Sequence, residues 1–114
     1  MKVAVVGSRN LMINNLYPYI PKECAEIISG GAKGIDSCAK AFALENNIPL
    51  REFYPEYDKY GRVAPILRNK EIVNYSDFVI AFWDGKSKGT AFVIDYCKKI
   101  SKPYKIFFIN KSLT

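Results

Sequence analysis

The nine residues Ile28 to Asp36, ISGGAKGID, decide how the rest of the chain is read. An apolar run stops at Ser29. Gly30, Gly31, Lys33 and Gly34 follow within five residues, and Ile35 then opens a segment in which Cys38, Ala39 and Phe42 recur at i+3, i+4 and i+7. The pattern is a buried strand, a glycine turn and an amphipathic helix. Such a turn either presents a helix N-terminus to a phosphate or does no more than reverse the chain.

Outward from this turn the same alternation repeats. Residues 2–6 (KVAVV) form an apolar run ended by Gly7, residues 10–20 read as a helix stopped by Pro21, and residues 25–29 as the second strand. Asn46-Asn47 ends the helix that begins at Ile35, before a third strand over residues 48–53. Residues 54–63 (YPEYDKYGRV) show no period and read as one long loop, a kind of segment that often carries function. A helix over 65–75 with Pro65 in its first turn follows, then the strand DFVIAFW, the loop DGKSKGT, a helix over 90–100 and the strand YKIFFI. Continuous apolar strands separated by helices indicate a parallel sheet covered on both faces. The expectation is one α/β domain over residues 1–114, a Rossmann-like doubly wound sheet of about five strands.

Composition narrows the class. The 114 residues are 49% hydrophobic and 25% charged, with no run of about eighteen apolar residues that a membrane span requires, so a soluble cytoplasmic protein without a membrane partner is expected. The opening MKVAVVGSRN is too short in its apolar part for a signal-peptide core. Cys24, Cys38 and Cys97 lie far apart with no C-x-x-C pair, and the chain has no histidine, which argues against a disulfide framework and a zinc site. No metal site and no cofactor motif is read. The lack of histidine also excludes Ser-His-Asp and Cys-His catalysis. The net charge of +6 is uneven: residues 1–57 carry six basic and six acidic side chains, residues 58–114 eleven and five. A basic half suggests an anionic partner, although Lys98, Lys99 and Lys102 also suit a helix C-terminus.

In a doubly wound sheet the ligand crevice lies beyond the carboxyl ends of the strands. The segments leaving those ends are GSR (7–9), SGGAKGID (29–36) and WDGKSKGT (83–90). Each combines glycine with hydroxyls, from Ser8, Ser29, Ser87 and Thr90, ahead of a helix N-terminus, and together they would receive a phosphate. On this reading Gly30 and Gly31 expose backbone N–H groups, and Gly34 permits close packing of the helix. No Lys-Ser/Thr pair follows the last glycine, and G-x-G-x-x-G is absent, so neither common nucleotide fingerprint applies.

Four ordered motifs, VVGSRN, SGGAKGID, LRNKEIV and DFVIAFWDGKSKGT, together resemble the SLOG superfamily from about residue 2 to residue 109. That superfamily joins the DNA-processing protein A core, the LONELY GUY phosphoribohydrolases and small stand-alone domains, and the likeness is greatest to the stand-alone YspA-related branch. The resemblance implies a Rossmann-like fold and a nucleotide or nucleotide-derived ligand. It implies that Gly7, Ser8 and Arg9 line one side of the pocket, and Ser29, Gly30, Gly31, Gly34 and Asp36 another. Gly85, Ser87, Gly89 and Thr90, with Asp84 ahead of them, would hold the phosphate.

Arg68, paired with Asn69, matches an arginine near the ligand in the phosphoribohydrolases, or else forms a surface ion pair with Glu71. Asp36 is either a pocket group or a helix-start carboxylate that satisfies first-turn amides. Trp83 is either core or a stacking surface for a base. Tyr54, Tyr57 and Tyr60 would form a lid or a subunit contact.

Cleavage of an N-glycosidic bond needs a carboxylate beside the sugar. The resemblance implies a glutamate three residues beyond the loop threonine, and this chain has Val93 there. Asp95 is displaced by about 140° round the helix from Thr90. The first expectation is therefore a module that binds a nucleotide-derived small molecule. A nucleotide N-glycosidase using Arg68 and Asp36 is the runner-up, and single-stranded DNA binding is a third, less favoured reading. A homodimer or higher oligomer is expected from the aromatic content and from helices flanking the pocket.

Overall fold

In the computed structural model, residues 1–109 are described. Five strands form one parallel sheet: β1 (Lys2–Gly7), β2 (Glu26–Ser29), β3 (Leu50–Glu52), β4 (Phe78–Trp83) and β5 (Tyr104–Phe108). The strand order is β3-β2-β1-β4-β5, so the chain builds outward from β1 in one direction and then, from β4, in the other. The helices are α1 (Ile35–Glu45), α2 (Tyr57–Tyr60), α3 (Ala64–Tyr75) and α4 (Lys88–Ile100). The Rossmann-like α/β architecture read from the sequence is the one observed.

The alternation of β1 divides the core. Val3 and Val5 face Ile35, Ala39 and Phe42 of α1, whereas Ala4 and Val6 face Ile72 and Val73 of α3 and Val93, Ile94 and Cys97 of α4. A central parallel strand buried on both faces must be apolar at every position, which is why KVAVV shows no polar alternation. Burying each such side chain contributes roughly 1.5–3 kcal/mol for the larger residues.

Residues 10–20 depart from expectation. They form no α-helix but an irregular segment with one turn of 3₁₀-helix at Tyr17–Tyr19. Pro18 lacks an N–H and would clash within a helix, and the Asn15 side chain accepts the Tyr17 N–H at 3.0 Å, a competing turn. The segment still covers the sheet. Leu11 and Leu16 are buried, and Tyr19 packs edge-on against Phe82 and Phe107 with centroids 5.1 and 4.8 Å away.

The stretch 54–63 is also not one loop, since it contains α2 and a 3₁₀ turn at Gly61–Val63. One four-residue turn is too short to show a period. α4 starts at Lys88, two residues earlier than expected, because the Ser87 hydroxyl accepts the Thr90 N–H and caps it. Among the described residues, no helix is long and apolar enough to cross a membrane.

Gly34 and Gly89 make a contrasting pair. Gly34 has φ of 69°, and a Cβ there would lie 2.6 Å from the Arg9 carbonyl carbon and 2.7 Å from the Ser8 oxygen. A Cβ at Gly89 would meet nothing within 4 Å. Gly34→Ala is expected to lower the unfolding free energy in urea by about 2 kcal/mol or more. Gly89→Ala is expected to leave it unchanged or raise it by up to about 1 kcal/mol. A wild-type midpoint for Gly34→Ala would show that α1 does not need this close approach.

Candidate functional site

Strand order reverses between β1 and β4, and a cleft of about 560 Å³ opens beyond their carboxyl ends. Its floor is apolar, formed by Val6, Ile72 and Val93. Around that floor stand polar groups from three loops and α3. Gly7, Ser8 and Arg9 follow β1; Gly30 and Asp36 come from the glycine turn; Arg68 and Asn69 from α3; Asp84, Ser87, Gly89 and Thr90 from the loop after β4 and the start of α4. These eleven residues, singled out in the sequence, meet at one place.

The loop after β4 is braced from inside. Asp84 Oδ1 accepts the N–H groups of Lys86 at 2.8 Å and Ser87 at 2.9 Å, which hold its carboxyl below the usual carboxylate range, the nearby Ser8 hydroxyl adding to the effect. The Trp83 indole N–H donates to the Ser87 carbonyl at 3.0 Å, and its ring packs on Phe108. Trp83 thus supports the loop from behind and is not in the cleft lining, and Gly85, with φ of 81°, makes the turn without lining the cleft either. Ser87 and Thr90 hydroxyls lie 3.2 Å apart at the mouth of α4. With the Ala91 and Thr90 N–H groups bonded to Ser87, the amides of Lys88 and Gly89 remain for a ligand.

Ser8 lines the same cleft. It is 2% exposed, and its Oγ is buried near the Asp84 carboxylate but makes no hydrogen bond of acceptable geometry. Buried hydroxyls are nearly always satisfied, so an unsatisfied one lining a cleft calls for a partner from outside the chain.

The turn over residues 29–34 differs from the open cradle read in the sequence. The Gly31 N–H donates to Ser29 Oγ at 3.4 Å and the Ala32 N–H to Asp36 Oδ2 at 3.0 Å, so two of its amides already have internal acceptors. Ser29, Gly31 and Gly34 do not line the cleft. The Gly31 position faces the Tyr54 ring, and Gly34 sits under the backbone of Ser8 and Arg9. Gly7 is likewise a packing glycine, since a Cβ there would lie 2.7 Å from the Phe82 oxygen. Asp36 lines the cleft wall, and the amide it accepts is that of Ala32 in the loop ahead of α1, not one of the helix's first turn.

Arg68 does not pair with Glu71. Its Nη1 donates to the Gly30 carbonyl at 2.8 Å and the Phe53 carbonyl at 3.3 Å, and its Nε to Asn69 Oδ1 at 2.9 Å. It ties α3 to the loops after β2 and β3. Burial pulls its pKa down, Asp36 and Tyr57 oppose that, and the charge of Arg9 adds to it. Burial pushes the Asp36 carboxyl up, against the Ala32 N–H and the Arg68 charge.

Glu71 and Asp95 are exposed and do not line the cleft. Lining residues not anticipated as ligand contacts include Asn10, Ala32, Pro65, Ile72 and Lys86. Ile72 was within reach of the sequence, one helical turn from Arg68 on the same face. Among the described residues, no three His, Cys, Asp or Glu side chains converge to hold a metal ion, and the three cysteines are free.

Residues 1–50 match the family model for DNA recombination-mediator protein A. Among solved structures, DNA processing protein A from Helicobacter pylori, a structure that gives insight into its single-stranded DNA binding mode, superposes with a TM-score of 0.73 at 22% sequence identity. The match covers 93% of this chain and 64% of that one, so the chain spans less than two thirds of its structural neighbour. No curated protein matches. The fold is similar to that of DNA processing protein A and is the Rossmann-like fold expected.

Because the native pKa of Asp36 is raised, the folded state binds more protons than the unfolded chain between about pH 4 and that raised value. Stability from this residue is present below the unfolded pKa and is lost as pH rises through the folded one. Asp36→Asn keeps an acceptor for Ala32 but cannot ionise. Its unfolding free energy relative to wild type is expected to improve from pH 3 to pH 7, and a constant difference over that range would contradict the burial argument.

Proposed function

We propose that this chain binds a nucleotide or nucleotide-derived ligand in the cleft, with a phosphate between the N-terminus of α4 and Ser8, and that it holds the ligand without cleaving it. The observation that carries this reading is the buried Ser8 hydroxyl, without a hydrogen bond of acceptable geometry, in the cleft bordered by the start of α4 with its unbonded Lys88 and Gly89 amides. A phosphate oxygen would accept from all three, and the positive end of the helix dipole favours its charge. The Lys86 side chain at the rim adds a cation, and the α4 first turn has no acidic residue to oppose it. The volume suits one nucleotide-sized molecule.

Binding is preferred to hydrolysis because of the floor. Val93 is 2% exposed where a phosphoribohydrolase would have its glutamate, and Asp84 is committed to loop amides. Asp36 and Asp84 both line the cleft, but each already accepts loop N–H groups on one oxygen and neither stands where that glutamate would be.

A second reading, single-stranded DNA binding, draws support from the structural neighbour and from the basic second half of the chain. Salt separates the two. Affinity for an oligothymidylate through several phosphates falls steeply as salt rises, whereas affinity for one nucleotide changes little.

Ser8→Ala provides a two-sided test. Removing a buried, unsatisfied hydroxyl is expected to raise unfolding stability by about 1 kcal/mol. The same change is expected to weaken calorimetric binding of AMP or GMP at least about tenfold, through loss of a charge-assisted hydrogen bond. Unchanged nucleotide affinity in the folded variant would remove the observation on which the proposal stands.

A further inference from the structure

We propose that the cleft selects ribonucleotides over 2′-deoxyribonucleotides, with the Asp36 carboxylate accepting hydrogen bonds from the ribose diol. This rests on the nucleotide-binding reading and adds to it the class of sugar.

The two walls of the cleft differ in their donors. On the β4 side, the start of α4 offers donors, the Lys88 and Gly89 amides, the Ser87 and Thr90 hydroxyls and the Lys86 ammonium, beside Asp84, whose Oδ1 is taken up by the Lys86 and Ser87 N–H groups. On the β2 side the cleft presents Asp36, 9% exposed and acceptor-only when ionised. A phosphate beside Asp36 would be repelled; a pair of sugar hydroxyls would not. The unbonded amides and hydroxyls at the α4 N-terminus therefore orient a nucleotide, phosphate toward α4 and ribose toward α1.

Asp36 is held from behind. The Ala32 N–H donates to Oδ2, the Ser29 hydroxyl and the Gly30 N–H also stabilise the carboxylate, and Arg68 spends its donors on the Gly30 and Phe53 carbonyls and on Asn69. Arg68 thus lies near enough to favour the charged carboxylate without filling its lone pairs. Gly30 makes this possible, because a Cβ there would lie 2.7 Å from Arg68 Nη1 and 3.0 Å from Asp36 Oδ2. The remaining lone pairs of an ionised carboxylate on a cleft wall call for donors. Ser8 supplies the independent sign of a ligand in the same cleft.

The span fits. β2 and β4 flank β1, which places the two walls about 10 Å apart across the sheet. A ribose diol and a 5′-phosphate, with a hydrogen bond at each end, bridge a gap of that order.

The test titrates the full chain by calorimetry with the matched pairs AMP and dAMP, and GMP and dGMP, at pH 7.5. Wild type is expected to bind each ribonucleotide at least about tenfold more tightly than its 2′-deoxy partner, as for a hydrogen bond to a charged group. Asp36→Ala is expected to bring that ratio to about one. Asp36→Asn, which keeps an acceptor for Ala32 and protects the fold, is expected to reduce it, with circular dichroism confirming that both variants are folded. Equal affinity of wild type for both members of a pair would overturn the inference while leaving the nucleotide site standing, as would a ratio that survives in both variants. Failure of wild type to bind any of the four would overturn the nucleotide reading and this inference with it.

Discussion

The site depends on how closely the start of α1 rests on the end of β1. Ile35 is fully buried over Gly7, where a side chain would collide with it and with the Phe82 carbonyl, and Gly34 lies under the backbone of Ser8 and Arg9. Two absent side chains thus let a helix begin directly on a strand end. That seating brings Asp36 to the cleft wall and fixes the loop that carries Ser8. Overpacking here would displace the helix, because neither the Phe82 backbone nor the Ser8–Arg9 backbone can yield cheaply.

Around this contact the molecule separates support from function. Trp83 and Asp84 shape the loop after β4, Arg68 joins three segments through backbone carbonyls, and Asp36 satisfies the Ala32 amide. Ser8 and the leading amides of α4 are left without such partners. The donors are therefore already fixed before any ligand arrives, which lowers the ordering cost of binding.

The sheet was legible in the sequence because its strands are buried on both faces and leave unbroken apolar runs, and α1 because Ile35, Cys38, Ala39 and Phe42 keep helical spacing. The three loops at one sheet edge were legible from glycine and hydroxyl content. The segment over residues 10–20 misled because Leu11 and Leu16 are apolar for separate contacts with the sheet, while Pro18 and Asn15 rule out the helix that would join them. The glycine turn misled for a subtler reason. Composition reveals that amides are close together, not whether a carboxylate four residues on already accepts from one of them, as Asp36 does from Ala32. Trp83 was undecidable from its position alone, since one indole N–H bond to Ser87 settles which way the ring lies.

The central claim is that a phosphate-bearing small molecule sits between Ser8 and the N-terminus of α4. It is tested most directly by ¹H–¹⁵N correlation spectra of the labelled protein titrated with AMP at fixed salt. Saturable shifts concentrated at the amides of Ser8, Lys88, Gly89 and Thr90, with Lys98 and Lys99 at the far end of α4 unmoved, are the result expected. Shifts spread over the basic surface, or none at Lys88 and Gly89 at saturating nucleotide, would contradict it.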